Sequence, residues 1–207
     1  MKNFFLGLAV MAGSFTFAQQ KTSTLPVTFG VKAGVNFSAM SKGGGMEDRD
    51  GKVGFNAGAF ANIPVAGSFS VQPEILYSQY GGKFSQTLFG KKYSFVKNLD
   101  YITIPVMLQY NVLPNFYLEA GPEFGILVSA KNKLKSESNN NIVTDGDVKQ
   151  YTNGFNMGIG IGAGYYFTPQ FGATLRYMGG LTNIYKNNSE DKVKTGAFQL
   201  GLAYKFK

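Results

Sequence analysis

Glu74, Glu119, Glu123 and Arg176 are ionisable residues set inside runs that alternate apolar with polar or small residues, away from the turns that hold most of the chain's charge. Three carboxylates and one guanidinium can do general acid–base chemistry, or they can neutralise one another where water does not reach. The residue inventory argues against the first. The chain has no His and no Cys, which removes a histidine base, a His-based zinc site and a thiolate nucleophile. No spacing supports a serine–lysine or carboxylate pair in their place. Charges in a narrow, low-dielectric interior are costly unless paired and hydrogen-bonded. Arg176 is therefore expected to bridge Glu119 and Glu123, or one of them and Glu74, with Gln72, Gln109, Tyr117 and Tyr166 completing a polar network in a lumen. Such a network can act as a plug that stiffens a barrel, or as a conduction or proton path. The reading is non-enzymatic, with no cofactor and no metal. Asp145-Gly146-Asp147 lacks the full calcium-loop pattern and reads as a turn. Gly158-Ile159-Gly160-Ile161-Gly162 runs through an alternating strand with no helix after it, so it is not a phosphate loop.

The elements that must position these side chains are eight alternating stretches, at 27–40, 51–63, 69–82, 99–112, 116–130, 153–167, 170–185 and 194–206. In the first, Val27, Phe29, Val31, Ala33, Val35 and Phe37 share one face, and Thr28, Gly30, Lys32, Gly34, Asn36 and Ser38 share the other. The sixth is the clearest: Phe155, Met157, Ile159, Ile161, Ala163, Tyr165 and Phe167 alternate with Asn156, Gly158, Gly160, Gly162, Gly164 and Tyr166. Two local departures stand out, Phe60 on a polar face and Pro73, which predicts a bulge or strand irregularity because it cannot donate a ladder bond. The connections run long and short in turn. Those at 64–68, 113–115 and 168–170 are short and contain Pro or Gly, while those at 41–50, 83–98, 131–152 and 186–193 are longer and polar. This rhythm predicts an all-β fold, an eight-stranded antiparallel up-and-down transmembrane β-barrel with both termini periplasmic and four loops outside the cell.

Alternation alone does not say which face points inward. Four alternate glycines on the polar face of the sixth stretch would weaken a strand facing solvent, whereas inside a filled eight-stranded barrel they make room for large groups from opposite strands. The polar face is thus expected inside and the apolar face against lipid, with Phe29, Phe37, Phe116, Phe155, Phe167, Phe171, Tyr204 and Phe206 near strand ends as aromatic girdles. Each stretch exceeds the ~9–11 residues a tilted strand needs to cross a bilayer. A lipocalin-like soluble barrel fits less well, since the chain has no Trp. Residues 1–18, with Lys2, an apolar run from Phe4 to Ala12 and Thr16-Phe17-Ala18, predict a signal peptide cleaved before Gln19, leaving 19–207 as one barrel domain. The net charge of +8 is spread over loops with acidic residues between, which points to a solvated exterior rather than nucleic acid. Lys131, Lys133 and Lys135 could meet lipopolysaccharide phosphates.

Several segments resemble the porin-family outer-membrane barrels of Bacteroidetes, the PorT-like group. They are Gly30-Val31-Lys32-Ala33-Gly34-Val35-Asn36-Phe37-Ser38, Val71-Gln72-Pro73-Glu74-Ile75-Leu76-Tyr77-Ser78, Tyr101-Ile102-Thr103-Ile104-Pro105-Val106, Tyr117-Leu118-Glu119-Ala120-Gly121-Pro122, Arg176-Tyr177 with Gly180-Leu181-Thr182-Asn183-Ile184, and the closing Gln199-Leu200-Gly201-Leu202-Ala203-Tyr204-Lys205-Phe206. The resemblance implies an eight-stranded barrel similar in architecture to the OmpA membrane domain and OmpX, held in the outer membrane of a Gram-negative bacterium. The expected role is a monomeric structural or interaction barrel contacting lipid and envelope proteins. A narrow porin or transporter, and an accessory barrel of a secretion system, stand as alternatives.

Overall fold

The computed structural model describes residues 26–41, 48–88, 91–136, 142–186 and 192–206; the expected signal peptide, 1–18, lies outside them. The described residues form ten strands: β1 (Thr28–Met40), β2 (Asp48–Asp50), β3 (Lys52–Ala66), β4 (Phe69–Leu88), β5 (Lys91–Leu113), β6 (Phe116–Ser136), β7 (Ile142–Asp147), β8 (Phe155–Tyr166), β9 (Phe171–Gly180) and β10 (Thr195–Lys205). Eight of them close a ring in the order β1-β3-β4-β5-β6-β8-β9-β10, every neighbour antiparallel and β10 paired back to β1. Closure leaves no edge, so the backbone groups of the ring bond within it. The remaining two lie off the ring, β2 on the far end of β4 and β7 on the far end of β6.

Alternation sorts the side chains as the apolar-out reading requires. Along β1, Phe29, Val31, Val35 and Phe37 are exposed while Lys32, Asn36 and Ser38 are buried. The same sorting holds on β8, where Phe155, Met157, Ile159 and Ile161 face out. Phe60, the exception on its strand, is buried inside. The glycines explain how it fits. Gly30 is the register partner of Phe60, Gly164 of Tyr117, Gly172 of Tyr166 and Gly160 of Met178. In each pair a Cβ on the glycine would collide with the partner's side chain. The large groups therefore come from the directly paired neighbouring strand, not from opposite strands as the sequence suggested.

Four expectations about elements need correction or sharpening. Residues 83–98, read as a polar loop, instead continue the β4–β5 ladder from Lys83↔Val96 to Leu88↔Lys91. Outside lipid such a hairpin needs no apolar face, so its composition looks like a loop. The 131–152 loop likewise holds the end of β6, then β7 and a short 3-10 turn at Lys149–Tyr151. The seventh stretch stops at Gly180 rather than 185. Pro73 makes an irregularity but no bulge: the β3–β4 register is unchanged from Asn56↔Ser78 to Pro64↔Ser70 and β4–β5 keeps one register throughout, yet rungs are missing between Phe60↔Glu74 and Ile63↔Val71 and between Pro73↔Val106 and Leu76↔Thr103. Register shifts occur instead at Pro64/Ala66, Asp100/Tyr101 and Asn111/Leu113 on the barrel strands.

Candidate functional site

Inward-facing positions on four strands at quarter turns of the ring bring the charged side chains together: Lys32 on β1, Glu74 on β4, Glu119 on β6 and Arg176 on β9. β9 and β4 have three ring strands between them on either side, so Arg176 spans the full width of the lumen to reach Glu74. Its Nη1 donates to Glu74 Oε2 at 3.0 Å and its Nη2 to Glu74 Oε1 at 2.7 Å, a bidentate pair. The Arg176 Nε donates to Glu119 Oε1 at 2.6 Å. Gly162, paired in register with both Glu119 and Arg176, lies between them and offers no side chain to block the contact. All three groups are nearly inaccessible, with Arg176 2% exposed.

The amides orient this crossbeam. Gln72 Nε2 donates to Glu74 Oε1 at 2.9 Å, and Gln109 Nε2 donates to Glu119 Oε2 at 3.0 Å. Asn62 Nδ2 donates to both glutamine carbonyl oxygens, at 3.2 Å to Gln72 and 2.8 Å to Gln109. It thereby turns both glutamine amide nitrogens toward the carboxylates. Lys32 Nζ donates to Glu74 Oε1 at 3.1 Å. Lys32 and Asn62 were not singled out from the sequence as site residues, although both stand on the polar face of their strands. That alternation was the signal that could have found them.

The remaining expected members sit elsewhere. Glu123 is not in the Arg176 cluster; it faces the lumen nearer the long-loop end and accepts from the Tyr80 hydroxyl at 3.1 Å. Tyr80 in turn accepts from Gln199 Nε2 at 3.1 Å. The Tyr117 hydroxyl is buried without a hydrogen-bond partner, its ring lodged over Gly164. Tyr166 packs tilted against Tyr117, with ring centroids 6.1 Å apart, and lies under the Lys205 ammonium, 3.8 Å from its centroid. Together with Phe60 these two tyrosines form an aromatic floor at the short-turn end rather than part of the charged network.

The opposite end is apolar. Met40, Tyr80, Leu99, Tyr101, Leu127, Ala130 and Ala197 of the wall pack against Ile184 and Val193, which lie beyond the ends of β9 and β10. The chain after Gly180 crosses the mouth, tied by Leu181 N to Met157 O at 2.7 Å, Asn153 N to Ile184 O at 2.7 Å and Ile184 N to Val193 O at 2.9 Å. At this rim Lys97 is buried with its ammonium 3.9 Å from the Tyr185 ring centroid. Its strand level is above the apolar belt, since the outward neighbours Lys83 and Lys131 are exposed charges. Burial pulls the Lys97 ammonium down to about 8. Among the described residues no group of three or more acidic side chains could hold a metal ion, and the Asp145-Gly146-Asp147 segment lies on β7 paired with Lys131–Lys133 of β6.

The family described as outer membrane protein beta-barrel domain matches residues 17–186. Among solved structures the chain is similar to Ail, the attachment invasion locus protein of Yersinia pestis, crystallised with the heparin analogue sucrose octasulfate. The two share 16% identity and a TM-score of 0.50, over 88% of this chain and 100% of that one. It is also similar to neisserial surface protein A, at 13% identity and a TM-score of 0.50, over 88% of this chain and 100% of that one. At such identities the likeness is one of fold. No curated protein matches the chain by sequence.

Proposed function

The chain belongs to the outer membrane protein β-barrel domain family, and we propose that it serves that membrane as a structural or interaction barrel whose lumen is plugged by paired side chains. Family membership places it in the outer membrane. The observation that carries the plug is the Arg176–Glu74 pair, which crosses the lumen between diametrically opposed strands. The floor of Phe60, Tyr117 and Tyr166 below, and the apolar cap above, support the same reading. An eight-stranded barrel has an interior just wide enough for side chains to fill. The function then lies on the outside of the molecule.

Export by cleavage before Gln19, periplasmic termini and a PorT-like affiliation complete the proposal. The projecting ladders of β4–β5 and β6–β7 are the surface offered to a partner, whether an envelope protein or a secretion component. Lys83 and Lys131, exposed just above the apolar belt, support contact with lipopolysaccharide phosphates. Recordings from the purified protein in planar bilayers test the plug. The expected result is no conductance above the empty membrane. An ion-selective conductance that Arg176→Ala changes would replace the plug with a narrow pore.

A further inference from the structure

We infer that β7 is a displaceable strap: it covers an edge of β6 that takes an extended acidic strand of a partner protein, and the partner strand enters by replacing it. The inference rests on the reading of the projecting ladders as the surface offered to a partner, and it names the chemistry that surface selects.

The first observation is how charge is spaced across the ladder. Above the apolar belt β6 carries Lys131, Lys133 and Lys135, a cation at every second position. Toward β5 their register partners are Asn98, Val96 and Ser94, none of them acidic. Toward β7, Lys131 meets Asp147 and Lys133 meets Asp145. Opposite charges directly across a ladder attract, so β7 supplies the carboxylates that this edge of β6 selects. The other edge of the projecting sheet repeats the pattern, with Asp50 of β2 opposite Lys83 of β4.

The second is how β7 is held. It pairs with β6 alone, and no described strand pairs with its other side. Unbroken rungs run from Lys131↔Asp147 to Leu134↔Thr144, and the register then shifts next to Ile142. The Asp147 end is the anchored one. Val148 N donates to Ala130 O at 3.0 Å, Lys149 N to Asp147 Oδ1 at 2.8 Å and Lys149 Nζ to Val128 O at 3.0 Å. A strand tied at one end and irregular at the other peels from the irregular end.

The third is its composition. Asp and Gly are poor strand formers, and Asp145-Gly146-Asp147 makes half of β7. Nothing packs where a Gly146 side chain would stand: a Cβ there has no atom within 4 Å. The glycine therefore weakens the strand without a packing reason. Once β7 lifts, β6 presents a row of backbone N–H and C=O groups beside alternate lysines, which fits an incoming strand with alternate carboxylates.

The test uses the full-length mature protein in detergent micelles and, as probe, a fluorescein-labelled synthetic peptide with the sequence of residues 142–148. Anisotropy reads its binding and hydrogen exchange its site. Binding should open the amides of 142–147 to exchange while those of 131–135 stay protected. Asp145→Lys with Asp147→Lys, which loosens the strap, should tighten peptide binding about tenfold, and Gly146→Thr, which strengthens it, should weaken binding about threefold. A peptide with Asn in place of both Asp should bind about fivefold more weakly. No binding to the loosened variant, or binding that leaves 142–147 protected, would overturn the strap and leave the ladders as a contact surface of another kind. Equal displacement of β7 by inorganic polyphosphate would overturn it too, since the edge would then select charge and not a strand. Peptide protection at the turns 64–68, 113–115 or 168–170 would overturn both this inference and the reading it rests on.

Discussion

Arg176 makes three hydrogen bonds to two carboxylates, and its removal leaves those carboxylates buried with only Lys32 to offset them. Breaking a buried pair from one side costs about 3–5 kcal/mol, whereas removing the charges together is close to neutral. Arg176→Met should therefore lower the temperature at which the barrel loses its compact gel mobility. Adding Glu119→Gln, which leaves Lys32 paired with Glu74, should restore most of the loss. A double variant as unstable as the single one would show that shape at Arg176, not charge, is what the lumen needs. Lys97 gives the opposite sign. Its proton leaves the folded barrel at about 8 instead of 10.5 because burial disfavours the ammonium. Between those values the unfolded chain binds more protons, so stability rises with pH across that window and the penalty is fully present below it. Melting temperature should climb between about pH 7.5 and pH 9.5, and less so in Lys97→Met. At the lower pH that variant should melt higher than the wild type. If it melts lower, the ring contact with Tyr185 outweighs the desolvation. Of the residues involved, Glu74, Glu119 and Arg176 were legible from alternation because each strand's polar face is a lumen position. The observed bridge to Glu119 and Glu74 was one of the pairings the sequence left open, and the choice among them was not legible, since that depends on the shear of the ring. Asn62 and Tyr80 share that inward parity, and only their partners were hidden by the shear.

At the scale of elements, a strand in this barrel is fixed as much by its glycines as by its apolar face. Gly30, Gly160, Gly164 and Gly172 each face a large side chain across one rung. A mispaired strand would put ring against side chain, so these pairs also set register. Gly164→Val should block assembly, seen as a failure to gain heat-modifiable mobility, and Tyr117→Ala in the same chain should restore it. Failure of that rescue would mean Gly164 is needed for backbone curvature and not for the ring. The strand cores could be read from the sequence because lipid on one side and lumen on the other enforce a strict period of two. The outer ends of β4, β5 and β6 could not. Beyond the membrane both faces meet water, the binary pattern dissolves, and 83–98 looks like a loop although its ladder runs to Leu88↔Lys91. The end of β9 was misread for a different cause. Leu181 keeps the apolar rhythm going past Gly180, whereas Ile184 falls on the inward parity and is apolar because it enters the cap.

Over the whole molecule the proposed plug has three parts, the aromatic floor, the charged crossbeam and the apolar cap. These parts rest on different physics. Rings over glycines fill volume, the crossbeam adds a desolvated and neutralised ion cluster, and the cap excludes water by burying Ile184 and Val193 against wall residues. Barriers in series make single lesions silent in transport even when they cost stability. Arg176→Ala alone should destabilise the barrel yet stay at the baseline of a planar bilayer recording, because the cap and floor still exclude ions. Ile184→Gly with Val193→Gly should behave likewise. Only a chain that combines the cap lesion with Arg176→Ala and Glu74→Ala should give small, brief conductance steps, and adding Tyr117→Ala should lengthen or enlarge them. Steps from Arg176→Ala alone would mean that the crossbeam is the sole barrier and that the cap is open in solution. A silent combined variant, still folded by gel mobility, would mean that the floor suffices to seal the lumen.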